Sequence, residues 1–348
     1  MSHRIAATTI AAAVVLFGAA PTLAQQNITA PPPPVPAGII VDSVMVHGRS
    51  LEGNLEGDSA DRNVVIVLPP SYAKSRNRHY PVVYFLHGFA LSGRNFFNYI
   101  HAPEAVAHNA ARGAEFIVVI PDTLTKLGGS MYSNSVTTGD FQTFVARDLV
   151  SYIDGHYRTI PRREARGLAG HSMGGYGTWR IGMRYAPMFG SIYAMSACCV
   201  SPRTETPESA QKLSAIPIEQ GIKGDFGTRA ALSSMVAWSP NPKNPPYYAD
   251  PPFRDGKVDP LVLAKWANNS PLAEVAGHVD ALKSYTAIGA DVGDKDGLLK
   301  DDTAIHEELE KFGIRHDWAV YPGTHVSAIV QRFDEVVLPF FAKHLTTR

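Results

Sequence analysis

The chain has 348 residues, of which 45% are hydrophobic and 18% charged, an ordinary globular balance with enough apolar material for one large domain. Lys plus Arg equals Asp plus Glu at 32 each, so no global field draws the chain to nucleic acid or to an anionic membrane. The two cysteines, Cys198 and Cys199, are too few for a disulfide scaffold. A bridge between such neighbours is strained, and the expected reading is two small apolar residues at a strand end.

In chain order, Arg4 stands before an apolar run from Ile5 to Ala20, and Thr22-Leu23-Ala24 offers small residues to a peptidase. Residues 1–24 therefore read as a signal peptide, with a secreted or periplasmic mature protein as the expectation. The run is short of the roughly 20 apolar residues that a bilayer span needs, and no later segment looks like one. Residues 25–39 read as a spacer, because the prolines from Pro31 to Pro36 supply no amide donors and favour an extended chain.

From residue 40 to 348 strand-like and helix-like segments alternate. Val64–Leu68, Val82–Leu86 and Phe116–Ile120 are short unbroken apolar runs, as expected of strands buried on both faces of a mostly parallel sheet. Between Phe141 and Tyr157 the apolar spacing of Phe144, Leu149, Tyr152 and Ile153 is helical. A strand at Ala165–Ala169 and a helix reaching Tyr185 follow, then strands at Ile192–Met195, Tyr285–Ile288 and Trp318–Tyr321, and a closing helix from Ala328 to His344. This alternation predicts a doubly wound α/β domain with helices on both faces. Residues 201–281 break the rhythm with prolines and aromatics such as Trp238, Pro245, Tyr247 and Phe253, and read as an irregular insertion over the strand ends.

The sharpest chemical signal is Gly170-His171-Ser172-Met173-Gly174, set between a strand and a helix. A serine on so tight a turn presents its hydroxyl to the cleft, and glycines two residues to either side permit the turn. The helix that follows points free amides at the same place, where they favour negative charge. Serine attacks only once a base takes its proton, and in this chain order the acid and the histidine follow the serine. Of 13 histidines, His325 alone combines a late position, a Gly-containing loop and a strand immediately before it.

The acid belongs in the loop after Ile288, where Asp296 is the first choice, Asp294 the second and Asp291 the third. Each also has a plain role as a turn former or helix cap. The oxyanion needs two donors, expected from the backbone amides of Met173 and Phe89. Their side chains are then free to shape the acyl pocket.

The segments Pro81–Gly88, Gly170–Gly177, Gly293–Leu298 and Gly323–His325 resemble the Putative esterase family. Esterase D, S-formylglutathione hydrolases, feruloyl esterases and antigen 85 mycolyltransferases belong to it, and the likeness spans roughly residues 40–345. The resemblance implies an α/β-hydrolase fold, a Ser-Asp-His triad, an oxyanion hole of two backbone amides, and neither cofactor nor metal. It also favours Asp296, which stands in a Gly-x-x-Asp loop. Ser130 to Asn134 resemble family loops near the cleft and are candidate substrate contacts.

The function expected is a serine carboxylic-ester hydrolase working through an acyl-enzyme on a small-molecule or polymer-linked ester. An acyltransferase with an alcohol or sugar acceptor is the alternative, since it shares the first half-reaction. A peptidase of this fold commonly carries a large extra domain, and a non-catalytic relative typically lacks a triad member.

Overall fold

The computed structural model describes residue 32 and residues 34–347. The signal-peptide reading of residues 1–24 and most of the spacer lie outside the described residues. Eight strands form the main sheet: β1 (Ile40–His47), β2 (Asp61–Leu68), β3 (Val82–Leu86), β4 (Ile117–Pro121), β5 (Arg166–His171), β6 (Ser191–Met195), β7 (Ala287–Gly293) and β8 (Asp317–Tyr321). Their order across the sheet is β1-β2-β4-β3-β5-β6-β7-β8. β2 runs antiparallel to both β1 and β4, and every later pair is parallel.

The unbroken apolar runs have a direct cause. Side chains alternate between sheet faces, and both faces here are covered. Val64, Ile66, Val82, Tyr84 and Val119 enter one core cluster, while Val65, Val67, Val83, Phe85 and Val118 enter the other. All five side chains of β3 are fully buried. Burying an aliphatic or aromatic side chain is worth about 1.5–3 kcal/mol, so a polar residue anywhere in this run would be costly.

Helix α1 (Ala102–Ala111) and the closing helical stretch α6 (residues 329–344) cover one face, with Phe333, Val337 and Phe341 pointing inward. Helices α2 (residues 141–156), α3 (Met173–Arg184) and α5 (Leu299–Lys311) cover the other. Both α2 and α6 contain a π-helical turn, at Phe144–Leu149 and Phe333–Val337.

Two elements go beyond the sequence expectation. β1 was not foreseen, because its outer residues are exposed (Met45 is 58% accessible) and it lacks the signature of a doubly buried strand. Residues 201–281 are more regular than their prolines suggest. They include helix α4 (Phe226–Trp238) and the shorter helices Pro207–Ser214, Pro260–Ala267 and Pro271–Glu274. Three of these begin with proline at the first helical position, where its missing amide costs nothing. Their prolines start helices instead of breaking them. Glu274 is buried between Arg180 and Arg184 of α3 and fastens the insertion to the helix that follows Ser172.

Candidate active site

Ser172 sits at the junction of β5 and α3 with φ 58° and ψ −115°, a strained left-handed backbone for a residue with a Cβ. Three main-chain bonds hold it there. Its amide donates to Met195 O at 3.0 Å, and its carbonyl accepts from Tyr176 N at 3.0 Å and Cys198 N at 3.1 Å. The glycines of the motif are required by contact. A Cβ on Gly170 would fall 2.4 Å from the Gly174 carbonyl carbon, and one on Gly174 would fall 2.0 Å from Leu86 O.

The loops after β7 and β8 bring the other two groups to the hydroxyl. His325 Nε2 lies 2.9 Å from Ser172 Oγ, and His325 Nδ1 lies 2.8 Å from Asp296 Oδ2. The second oxygen of Asp296 accepts the Leu298 amide at 2.9 Å. Burial pushes the Asp296 carboxyl up, but the hydrogen bond and charge of His325 and the Leu298 amide outweigh it, leaving the group below its ordinary value. A carboxylate held ionised beside Nδ1 keeps the proton on that nitrogen and leaves Nε2 free to accept from serine.

The other two aspartates have different partners. Asp294 Oδ1 accepts the Gly323 amide at 2.9 Å, and the Asp294 and Lys295 amides donate to Tyr321 O and Gly323 O. Asp294 therefore pins the acid loop to the histidine loop. Asp291 lies within β7, fully buried, where it accepts from Arg332 at 2.6 Å and Tyr193 at 2.8 Å. Neither faces the imidazole.

The amides expected to hold an oxyanion come from two different loops. Among the described residues, the amides of Phe89 and Met173 donate to no other group. The buried His87 sets the direction of the first. Its Nε2 accepts from the Thr123 amide at 2.9 Å, so the ring proton resides on Nδ1, which donates to Gly88 O at 2.8 Å. Carbonyl and amide of one planar peptide point in opposite directions, so fixing Gly88 O also aims the Phe89 amide. Ala90 N, bonded to Gly128 O at 2.8 Å, anchors the loop from its far side.

A family model described as Putative esterase matches residues 59–332. The chain belongs to the Putative esterase family. Esterase Rv1288 and Esterase MT1326, both of Mycobacterium tuberculosis, are each 32% identical to it over 141 residues, which is 38% of this chain. The match spans only 28% of the length of those relatives. Among solved structures, a ferulic acid esterase superposes with TM-score 0.62 at 23% identity, covering 90% of this chain and all of that one. FphF, a fluorophosphonate-binding serine hydrolase of Staphylococcus aureus, gives 0.61 at 16% identity, over 88% and 99%. An S-formylglutathione hydrolase of Agrobacterium tumefaciens gives 0.58 at 16% identity, over 89% and 97%. These neighbours share the α/β-hydrolase architecture.

Sequence reasoning passed over several residues that shape this site. His171, buried under the serine turn, contacts the carbonyl of His325 through Nε2 at 2.8 Å. Burial, with His325 adjacent, lowers its pKa to about 3, so it stays neutral and donates. Tyr132 donates to His87 O at 3.1 Å and so braces the loop that leads to Phe89. Of the candidate contacts Ser130 to Asn134, the first four are buried, while Asn134 is exposed and donates to Thr143 Oγ1 at 3.0 Å. Phe226, the first residue of α4, is 46% exposed and meets the Phe89 ring edge-on at 5.3 Å. Nothing in the local pattern marks it, because its neighbour is 137 positions away in the chain. Among the described residues no group of His, Cys, Asp and Glu is arranged to hold a metal, and no helix is long and apolar enough to cross a membrane.

Proposed function

We propose that this chain is a serine carboxylic-ester hydrolase that works through an acyl-enzyme, with Ser172 as nucleophile, His325 as base and Asp296 as its orienting acid. The observation that carries the reading is the unbroken chain Ser172 Oγ to His325 Nε2 to His325 Nδ1 to Asp296, at 2.9 and 2.8 Å, on a strained turn. His325 takes the hydroxyl proton as Oγ attacks the ester carbonyl, and Asp296 stabilises the imidazolium that results. The negative oxygen of the tetrahedral intermediate turns toward the amides of Met173 and Phe89, reinforced by the N-terminus of α3. The imidazolium then protonates the departing alkoxide. Water, activated by the same ring, releases the acid and restores Ser172.

Phe89 and Phe226 form an edge-to-face aromatic wall beside the oxyanion loop. A wall of this kind suits a flat, unsaturated acyl group, which agrees with the ferulic acid esterases among its structural neighbours, one of them described in complex with ferulic acid. The leader-like residues 1–24 support action outside the cytoplasm, and the N-terminal sequence of the exported protein tests that. The central experiment combines a fluorophosphonate probe with product analysis. Labelling should map to Ser172 and disappear in Ser172→Ala, and esters should yield free acid even when alcohol acceptors are supplied. A chain that never reacts with the probe would belong to a binding class, and predominant transfer to the alcohol would make it an acyltransferase.

A further inference from the structure

The only two thiols of the chain lie in the turn that follows β6. Successive side chains of an extended strand point to opposite faces, and neighbouring thiols would normally diverge. Here the pair lies in a turn in place of a strand, and Cys199 adopts a left-handed backbone with φ 59°. Their Sγ atoms stand 2.9 Å apart, with the Cys199 thiol donating to Cys198. That is within about 1 Å of the covalent S–S distance. Both residues are half-buried, so a small reagent reaches them.

The pair is also wired to the active site. The Cys198 amide holds the Ser172 carbonyl at 3.1 Å, one of the three bonds that fix the strained turn. The preceding Ala197 sits under Gly175, where a Cβ would come within 2.9 Å of its Cα, and its amide donates to the buried Asp302 at 3.1 Å. With Ala197 clamped on both sides, a change at the thiols is transmitted to the Cys198 peptide instead of being absorbed by the loop.

We propose that Cys198 and Cys199 are a modification site, a vicinal dithiol that low-molecular-weight disulfides close to a cyclic disulfide, and that closure slows ester turnover through the Cys198 amide. The second half rests on the reading of Ser172 as nucleophile. The adjacent Cys199 sulfur and burial push the Cys198 thiol up, so Cys199 makes the first attack. Its thiolate displaces one thiol from the disulfide reagent and forms a mixed disulfide. Cys198 sulfur, losing its proton, then attacks the Cys199 sulfur and displaces the second thiol. Two protein thiols are oxidised, and one disulfide is reduced to two free thiols.

The test equilibrates the full chain with reduced or oxidised glutathione, quenches with acid and measures intact mass and maleimide uptake after denaturation. The oxidised chain should be lighter by two hydrogen atoms, monomeric and inert to maleimide, while the reduced chain should take up two maleimides and capture one phenylarsine oxide. A persistent glutathione adduct, a disulfide-linked dimer or two surviving thiols would overturn the bridge. In the same samples, kcat/KM on a small aryl ester should be several-fold lower for the oxidised chain, and equal in both conditions for Cys199→Ser. A formed bridge with an unchanged rate would overturn the coupling. Failure of Ser172 to take a fluorophosphonate in either state would instead sink the proposed function and leave the bridge standing.

Discussion

The closest approach in the site is also its most exacting constraint. Replacing Gly174 by alanine would set a Cβ 2.0 Å from Leu86 O and 2.6 Å from Leu86 C, whereas ordinary contact begins near 3.4 Å. The gap between 2.0 and 3.4 Å, about 1.4 Å, has to come from moving the end of β3 away from the start of α3. No flexible side chain can give way, because the atoms met belong to the backbone. Leu86 leads through His87 and Gly88 to the Phe89 amide, and Gly174 follows Ser172 by two residues, so the displacement separates the oxyanion donor from the nucleophile. A misplacement of about 1 Å costs on the order of 10²-fold in rate, similar to losing one oxyanion donor at about 10²–10³-fold. Overpacking adds about 1–3 kcal/mol of destabilisation. The assay is kcat/KM for a small aryl ester, with a thermal melt to establish that Gly174→Ala is folded. Gly155→Ala is the control, since a Cβ there meets nothing within 4 Å in a helix, and it should leave the rate alone while stabilising slightly. A folded Gly174→Ala protein with wild-type kcat/KM would refute the link between this contact and the oxyanion geometry.

The other expectations follow from the partners of single groups. Asp296→Asn should lower kcat by roughly 10³–10⁴-fold by favouring the wrong imidazole tautomer, whereas Asp294→Ala should mainly loosen a loop, costing about 1 kcal/mol in urea unfolding; reversed effects would reassign the acid. Arg332→Met should cost about 3–5 kcal/mol, because it leaves the carboxylate of Asp291 buried without its cation. Adding Asp291→Asn should restore much of that, and an additive double mutant would refute the pairing. Burial and the neighbouring His325 depress His171 from 6.5 to about 3, so the stability it contributes is complete above pH 6.5 and drains as the pH falls toward 3, where only the unfolded chain takes up the proton. His171→Gln should flatten that acid-side loss by up to about 1.4 kcal/mol per pH unit; parallel urea-stability curves for the two proteins would contradict the assignment.

What the sequence displays and what it hides divide along a physical line. Strands β2, β3 and β4 are legible because burial on both faces demands unbroken apolar residues, and β1 is not, because exposed positions such as Met45 tolerate anything. Ser172 is legible because steric demands on both flanks force glycine at 170 and 174. The three aspartates after Ile288 look alike in sequence, since any carboxylate suits a turn. Only the resemblance of the Gly-x-x-Asp loop ranks Asp296 first there, and the partners then separate the three: a guanidinium for Asp291, a backbone amide for Asp294, an imidazole for Asp296. His87, His171 and Tyr132 are harder still, because each acts on the carbonyl of another residue, and a carbonyl carries no side-chain identity to detect. Such positions fix orientation instead of supplying reactive atoms. It follows that substitutions at His87 or Tyr132 should act through the aim of the Phe89 amide. They should lower kcat while leaving labelling of Ser172 by a reactive phosphonate largely intact, because that reaction has less need of a second oxyanion donor.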